Sequence, residues 1–417
     1  MESKAKNVVL GVTGGVGAYK ACELARKLVE SGFVVDVVVT SSATRFAPVS
    51  ALRALINGKV HDSLYEDPDP SPHTTLARCA DLIVCYPATA DFIAKTANGH
   101  ADDLLSALFL ASTAPKIVVP AMHTEMWEAA ATQRNIRTLN GDGVRVIGPG
   151  VGSLAGGDYG PGRLISSELV ALAVRTNLGP ASELGRDLEG RRVLVTAGGT
   201  REAIDPVRYV GNRSSGKQGA AIAAVAALAG AEVTLVTTSE TSLVEQLAEG
   251  MCEVVVVESA REMAAAVAAL EDEIDILVMA AAVADFSPRA SEPNKIKREG
   301  REELSLLLTP TEDILRGVAL RRAKRSGVLP VLVGFAAETQ DLESAVSHKL
   351  GAKGVDVIVG NLVAGGAPVF GADENQVMIV DRLGDKSSYP RAPKEAIACR
   401  VLAAALRMLK EASVVTE

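Results

Sequence analysis

Twice along this 417-residue chain a short β-branched run ends in a glycine cluster, first at Val8–Lys20 (VVLGVTGGVGAYK) and again at Val193–Gly219 (VLVTAGGTREAIDPVRYVGNRSSGKQG). A strand that runs into glycines and then a helix fits best into a parallel sheet covered by helices, with the turn's N–H groups exposed at the carboxyl end of the strand. The surrounding sequence keeps the same alternation. Asn7–Val12, Val34–Thr40, Leu82–Cys85 and Lys116–Val119 read as strands, separated by helical stretches such as Ala18–Glu30 and Ala101–Ala111. Asn177–Gly190 then loses apolar periodicity and is rich in Gly, Pro and charge, as a linker is. A second series follows, with strands at Val193–Thr196, Glu232–Thr237, Cys252–Val257, Ile276–Ala280, Val331–Gly334 and Val355–Gly360. Gly219–Ala229 and Ala260–Leu270 read as Ala-rich helices, Gln376–Asp381 as an antiparallel edge strand, and Pro393–Glu411 as a closing amphipathic helix. The expectation is two α/β domains, 1–178 and 191–417, joined by a linker at 179–190, with no residue-by-residue repeat between them.

Charge narrows the partners. The chain carries a net charge of −8 with 3% aromatic residues, so it has neither the basic excess that displaces counterions nor the stacking faces of a nucleic-acid or anionic-membrane binder. Residues 1–178 hold 16 basic and 17 acidic side chains, against 27 and 34 in the remainder, so any anion site in the second half has to be local. Cys22, Cys79, Cys85, Cys252 and Cys399 form no C-x-x-C pair, which reads as free thiols in a reducing compartment and argues against zinc. The N-terminus passes from a charged segment straight into a strand, so neither a signal peptide nor a membrane span is expected, and a cytosolic protein is.

In the first half, Gly14, Gly15 and Gly17 put backbone amides and a helix start where a phosphate can sit, although the spacing does not complete the dinucleotide fingerprint G-x-G-x-x-G and a plain tight turn also fits. TSSATRF (Thr40–Phe46) offers hydroxyls for the same phosphate or for helix capping. The segments PHTTLARCADLIVCYPATADFIAKTANGHADDLL (Pro72–Leu105) and PAMHTEMW (Pro120–Trp127) resemble the flavin-dependent cysteine decarboxylase family, as found in the decarboxylase half of bifunctional coenzyme A biosynthesis proteins. That resemblance implies a flavodoxin-like FMN-binding domain that oxidises the thiol of 4′-phosphopantothenoylcysteine, loses the carboxylate and returns the electrons. It implies His73 as active-site base, Gly14, Gly15, Gly17, Ser41, Thr44, Ala88, Thr89 and Asn98 around FMN, and His123, Met126, Asp158 and Arg163 at the substrate, while Leu104 and Leu105 pack. Two positions depart from the family pattern: His123 stands where asparagine is usual, and Gly156 in LAGGDYGPGR replaces a cysteine associated with reductive protonation. Another acid must then serve. Asp158, Tyr159 and Arg163 are expected on a mobile flap, with Tyr159 as one candidate donor.

In the second half, GNRSSGKQ (Gly211–Gln218) stops one hydroxyl short of the phosphate loop G-x-x-x-x-G-K-[ST], and Thr196 lies 15 residues before Gly211 where that motif needs its strand at once. Ordered blocks match better: AGGTREAIDPVRYVGNRSSGKQG, AAAVADFSP (Ala280–Pro288), KIK (Lys295–Lys297), DIL (Asp313–Leu315), GFAAET (Gly334–Thr339) and KLGAK (Lys349–Lys353) closely resemble phosphopantothenate–cysteine ligase. The resemblance implies a Rossmann-like parallel-sheet domain that uses CTP. A carboxylate is a poor acyl donor, so it first attacks the α-phosphate to give an acyl-cytidylate, which the amine of cysteine opens. By family position Asn212 serves the acyl-nucleotide step and Lys295 the first half-reaction, with Ala280, Ala281, Asp285, Asp313, Ile314, Phe335, Lys349 and Lys353 completing the CTP site. From the residues alone, Arg208, Ser214, Ser215, Gly216 and Lys217 are added for phosphate contact, Mg²⁺ is expected to bridge the phosphates with Asp285 near it, and Phe335 also reads as core. The resemblance further implies homo-oligomers: trimeric flavin halves, dimeric ligase halves and possible dodecamers. A rival reading joins an active ligase to a flavin-binding half with a prenyl-transferring or regulatory role.

Overall fold

Valine- and isoleucine-rich runs become the central strands of two parallel sheets, because β-branched side chains suit a pleated backbone and apolar faces on both sides need two helical layers to cover them. The computed structural model describes residues 5–65, 71–178, 184, 187–239, 241–298, 303–325, 329–338, 342–362 and 371–415. Two units, Met1–Gly179 and Pro180–Glu417, divide the chain, and residues 179–183, 185 and 186 of the expected linker lie outside the described residues.

The first unit holds β1 (Asn7–Val12), β2 (Val34–Val39), β3 (Val60–His61), β4 (Leu82–Ala88), β5 (Lys116–Pro120) and β6 (Arg145–Val146) in one parallel sheet. Its order is β3-β2-β1-β4-β5-β6. The expected flavodoxin-like architecture is thus realised as a doubly wound α/β sheet, with the order 3-2-1-4-5-6 in place of the flavodoxin order 2-1-3-4-5. Every residue of β4 is buried, as a strand covered on both faces requires. The stretch after β1 opens as a 3-10 turn, Val16–Lys20, before the helix Ala21–Glu30. The helix expected at Ala101–Ala111 starts later, at Leu104, because Asp103 and Ser106 close a capping box there. A hairpin pairs β7 (Gly150–Ser153) with β8 (Tyr159–Arg163) and carries Asp158 in its turn and Tyr159 and Arg163 on its second strand.

The second unit holds a larger sheet. Its strands are β9 (Arg192–Ala197), then the hairpin β10 (Arg201–Ala203) and β11 (Tyr209–Gly211), then β12 (Glu232–Thr237), β13 (Glu253–Val256) and β14 (Ile276–Met279). A second hairpin pairs β15 (Phe286–Pro288) with β16 (Leu308–Pro310), and the chain continues into β17 (Val331–Glu338), β18 (Val357–Leu362), β19 (Glu374–Asp381) and β20 (Lys386–Pro393). The main sheet runs β13-β12-β9-β14-β17-β18-β19-β20, parallel as far as β18 and antiparallel beyond it. The strand expected at Gln376–Asp381 is therefore antiparallel but not the edge. That place belongs to β20, whose polar KSSYPRAP sequence with two prolines hides its strand character and suits an unpaired rim.

The helix Lys217–Leu228 is mostly buried because its alanines and Gly219 let it lie close to β9 and to the C-terminal helix Lys394–Val415. A Cβ on Gly219 would stand 2.6 Å from Ala197 Cβ and 2.9 Å from the Thr196 carbonyl oxygen, whereas one on Gly351, in the exposed face of Leu342–Lys353, would meet nothing within 4 Å. Two helical glycines should thus respond with opposite signs to the same change. Gly219→Ala is expected to lose about 1–3 kcal/mol through overpacking, and Gly351→Ala to gain about 0.5–1 kcal/mol through helix propensity. Urea unfolding of the full-length variants checks both. A stabilising Gly219→Ala would contradict this packing.

Candidate functional sites

Both sites form where the strand order reverses, at β1 beside β4 and at β9 beside β14, because the helices leave to opposite faces there and a crevice opens beyond the strand ends. In the first unit Thr13 bridges the gap. Its hydroxyl donates to the Pro87 carbonyl (2.8 Å) and accepts from the Thr89 N–H (3.0 Å). Thr89 in turn caps the helix Ala90–Ala97. Above this junction lies a cavity of about 400 Å³ lined by Gly14, Gly15, Gly17, Thr89, His123, Met126 and Arg163 among others. Gly14 and Gly17 are the tightly fitted ones. A Cβ on Gly14 would sit 2.3 Å from the Ser42 hydroxyl, and one on Gly17 would sit 2.8 Å from Leu164 Cδ2.

The loop that carries His123 is fastened to the hairpin on both sides. Met122 N–H donates to the Gly162 carbonyl (3.0 Å), and the Thr124 hydroxyl donates to that of Pro161 (2.9 Å). Gly162 has φ +138, and a Cβ there would collide with the Met122 carbonyl oxygen at 2.1 Å. Asp158 on the hairpin turn places Oδ2 3.9 Å from His123 Nδ1.

Seven of the expected residues therefore share one cavity, with Asp158 at its rim, and the others stand elsewhere. Ser41 and Thr44 occupy the exposed turn around Ser42, where the Thr44 hydroxyl donates to the Ser41 carbonyl (2.8 Å). Ala88 is fully buried at the end of β4, its carbonyl accepting from Ala121 N–H, and does not line the cavity. Asn98 ends the helix Ala90–Ala97 with its amide donating to the Ala94 carbonyl (2.8 Å), away from the cavity lining. His73 stands at the start of the helix Pro72–Cys79, outside that lining, with Nδ1 buried and no hydrogen-bond partner among the described residues. Tyr159 is 77% exposed and does not line the cavity, which removes it as a donor within this arrangement. Leu104 and Leu105 are buried, as expected.

In the second unit threonines again tie the strand ends together. The Thr196 hydroxyl accepts from Ala281 N–H (3.2 Å) and that of Thr200 from Ala284 N–H (2.9 Å), while Gly199 bridges Ala282. Asn212 donates its side-chain amide to the Val283 carbonyl (2.9 Å). Gly199 has no room for a Cβ, which would lie 2.5 Å from the Asn212 carbonyl oxygen, and Gly216 (φ +72) packs its α-carbon against Ser239. Asn212, Ser214, Gly216 and Ala281 are thereby gathered near the ends of β9 and β14, with Ser215, Ala280 and exposed Asp285 beside them in sequence.

Two cations expected at the phosphates are already engaged. Lys217 Nζ lies 2.6 Å from the Asp373 carboxylate and donates to the Gly371 carbonyl, and this lysine holds the Asp373 carboxyl below its ordinary range. Arg208 donates to Asp205 Oδ2 (3.0 Å) and to the Ile296 carbonyl (3.1 Å), so it serves the fold. Asp205 organises this corner. Its buried carboxylate accepts from the N–H groups of Val207, Arg208 and Ile296, fixing the residue next to Lys295. Burial pushes the Asp205 carboxyl up, but those N–H donors and the Arg208 charge outweigh it and set it below the ordinary carboxylate range. Sequence reasoning passed over Asp205, although DPVR (Asp205–Arg208) carries a turn signature that could have marked it.

Further along, Asp313 caps the helix Ile314–Lys324 and lies 3.4 Å from Lys353, and Lys349 lies 2.6 Å from Glu338. Ile314 is buried and packs in the core, and Phe335 is half-buried on β17. Among the described residues no three His, Cys, Asp or Glu side chains gather as a metal site, and no helix is long and apolar enough to cross a membrane.

Comparison with known proteins assigns both units. The family model described as Flavoprotein matches residues 1–178, and that described as DNA/pantothenate metabolism flavoprotein C-terminal domain matches residues 188–408. The coenzyme A biosynthesis bifunctional protein CoaBC of Mycobacterium tuberculosis is 43% identical over 411 residues, covering 97% of this chain and 97% of its own. Proteins of the same name from Bacillus subtilis and Escherichia coli are 41% and 40% identical, covering 95% and 93% of this chain and 96% and 93% of their own. With both units matched in order and nearly end to end, the chain belongs to the family of coenzyme A biosynthesis bifunctional proteins.

Proposed function

We propose that this chain performs two consecutive steps of coenzyme A synthesis: CTP-driven ligation of cysteine to 4′-phosphopantothenate through an acyl-cytidylate, then FMN-dependent decarboxylation of 4′-phosphopantothenoylcysteine to 4′-phosphopantetheine. The observation that carries it is the match to bifunctional relatives across both units, with 97% of the chain covered. On this reading residues 1–178 are the decarboxylase and 191–417 the ligase.

The first cavity fits FMN on its own geometry. Gly14, Gly15 and Gly17 line it at a turn into a helix, with no side chain between backbone and cavity, and about 400 Å³ of space extends to Met126 and His123. When bound, the flavin supplies the two-electron oxidation of the thiol and the return of the electrons. The protein's part is to hold and move protons. His73, with an unpartnered buried Nδ1, takes the thiol proton, a role typically contributing about 10²–10⁴-fold. Because His73 stands outside the cavity of its own chain, a flavin site completed between protomers is favoured, which a trimer would supply.

In the ligase unit Asn212, oriented by the Val283 carbonyl, faces the acyl-cytidylate, and Lys295 meets the phosphates from a loop that Asp205 holds. Lys217 starts from an ion pair with Asp373, so a phosphate has to displace that exposed carboxylate to use it. Mg²⁺ would be held chiefly by phosphate oxygens with Asp285 as its protein neighbour, as this small, strongly hydrated cation commonly is. Dimerisation of this unit and a cytosolic setting complete the proposal.

Full-length variants supplied with 4′-phosphopantothenate, cysteine and CTP separate the two halves. His73→Asn should release pyrophosphate at the wild-type rate and lose carbon dioxide release by about 10²-fold or more. Lys295→Gln should do the reverse, decarboxylating supplied intermediate while pyrophosphate release collapses. Persistence of both products in either variant contradicts that residue's role. Asp205→Asn should slow pyrophosphate release and leave decarboxylation unchanged, because it frees the Lys295 loop. Since the folded Asp205 carboxyl titrates below its unfolded value of about 3.9, its tie is fully present above that pH and is lost as pH falls through the folded value. The protection factor of the Ile296 amide, its exchange rate taken relative to that of an unstructured amide at the same pH, should therefore fall on acidification in the wild type and be low throughout in Asp205→Asn. Equal protection in both would contradict the tie.

A further inference from the structure

We propose that His123 is the acid that completes decarboxylation, protonating carbon while the decarboxylated product is reduced. The inference rests on the FMN-dependent reading given above. Loss of carbon dioxide from the oxidised cysteinyl group leaves an enethiolate, in which a carbon–carbon double bond joins the amide-bearing carbon to the sulfur-bearing one. Saturating it needs one proton at the amide-bearing carbon. It also needs an electron pair with a hydrogen at the sulfur-bearing carbon, delivered from the reduced flavin, which is oxidised again. The double bond becomes single and the product leaves as a thiolate. An acid must therefore stand in the cavity.

The ionisable side chains lining that cavity are Tyr19, Lys20, His123 and Arg163. Phenol, ammonium and guanidinium groups ordinarily hold their protons to pH 10 or beyond, so among the residues that one chain gives to the cavity imidazole is the type suited to give and regain a proton near neutrality, and His73, which stands outside it, already has the thiol to serve. His123 is also firmly presented. Its neighbours Met122 and Thr124 are both hydrogen-bonded to β8, and Asp158 lies 3.9 Å from Nδ1, which leaves Nε2 to meet a ligand. The side chain is half exposed, so water can return the proton after each cycle.

Gly156 makes the assignment specific to this chain. A Cβ at that position would lie 2.6 Å from His123 Cε1 and 3.5 Å from Nδ1. The imidazole stands where a Cβ at 156 would lie, so a side chain at that position would have to displace it, and in this chain position 123 fills the place.

The test uses full-length, FMN-loaded protein given 4′-phosphopantothenoylcysteine, with flavin absorbance and product mass followed together. His123→Asn should release one carbon dioxide per flavin, leave the flavin bleached, yield a product lighter by two hydrogens, and turn over about 10²-fold or more slowly. His123→Asn/Gly156→Cys places a thiol in the vacated volume and should restore flavin reoxidation and the saturated product. In flavin-free protein, the Tm loss caused by Gly156→Cys should be smaller when His123→Asn is already present, as it is when two side chains compete for one space. The proposal is overturned if His123→Asn reoxidises its flavin and forms saturated product at near the wild-type rate. It is equally overturned if that variant never bleaches the flavin, which would put His123 in binding or oxidation, or if the two Tm changes are additive. Wild-type protein that releases no carbon dioxide would instead sink the underlying flavin reading.

Discussion

A buried threonine hydroxyl at the end of the central strand is the interaction on which each half of this molecule depends. Where neighbouring parallel strands send their helices to opposite faces, the backbone groups just past the strand ends lose their ladder partners, and each one left buried and unsatisfied costs about 1–3 kcal/mol. Thr13 answers this in the first unit by serving Pro87 and Thr89, and Thr196 with Thr200 answers it in the second by serving Ala281 and Ala284. The glycine turns then rest at a fixed separation from the facing loop. Thr89 is thereby set to cap its helix beside the cavity, and Val283 is set to receive Asn212. Two chemistries use one structural solution.

Much of this was legible in the sequence. Every central strand announced itself by a β-branched run, and the glycine clusters fell where backbone approaches leave no room for a side chain. Partners distant along the chain were not legible. Asp205 reaches Ile296 across 91 positions, and Lys217 reaches Asp373 across 156, so no local pattern could show that one carboxylate holds the Lys295 loop or that the other occupies a lysine read as a phosphate ligand. Hairpins were hidden for a related reason. Arg201–Ala203 and Tyr209–Gly211 are too short and too polar for periodicity to register, and the pairing of Phe286–Pro288 with Leu308–Pro310 spans a long excursion. Strand order likewise follows from which helix crosses which face, a property that alternation alone leaves open.

The sites differ in how they treat charge. In the flavin half one imidazole, one phenol, a lysine, an arginine and a nearby carboxylate surround a cavity that also takes glycine, methionine and leucine into its wall, which suits a reaction that moves protons next to a flat cofactor. In the ligase half several cations already have carboxylate neighbours, Lys217 with Asp373, Lys349 with Glu338 and Lys353 with Asp313. On the proposed reading a highly charged nucleotide would exchange these ion pairs for new ones, and partly exposed pairs of this kind contribute modestly in the free protein. Binding can thus rearrange them at small cost, while Asn212 and the glycine rim stay fixed.

The claim that one polypeptide completes both reactions is tested most directly by stoichiometry. Purified chain, reconstituted with FMN and given Mg²⁺, CTP, 4′-phosphopantothenate and cysteine labelled in its carboxyl carbon, should release pyrophosphate and labelled carbon dioxide in equal amounts as 4′-phosphopantetheine accumulates. Pyrophosphate without labelled carbon dioxide, with 4′-phosphopantothenoylcysteine as the end product, would contradict it.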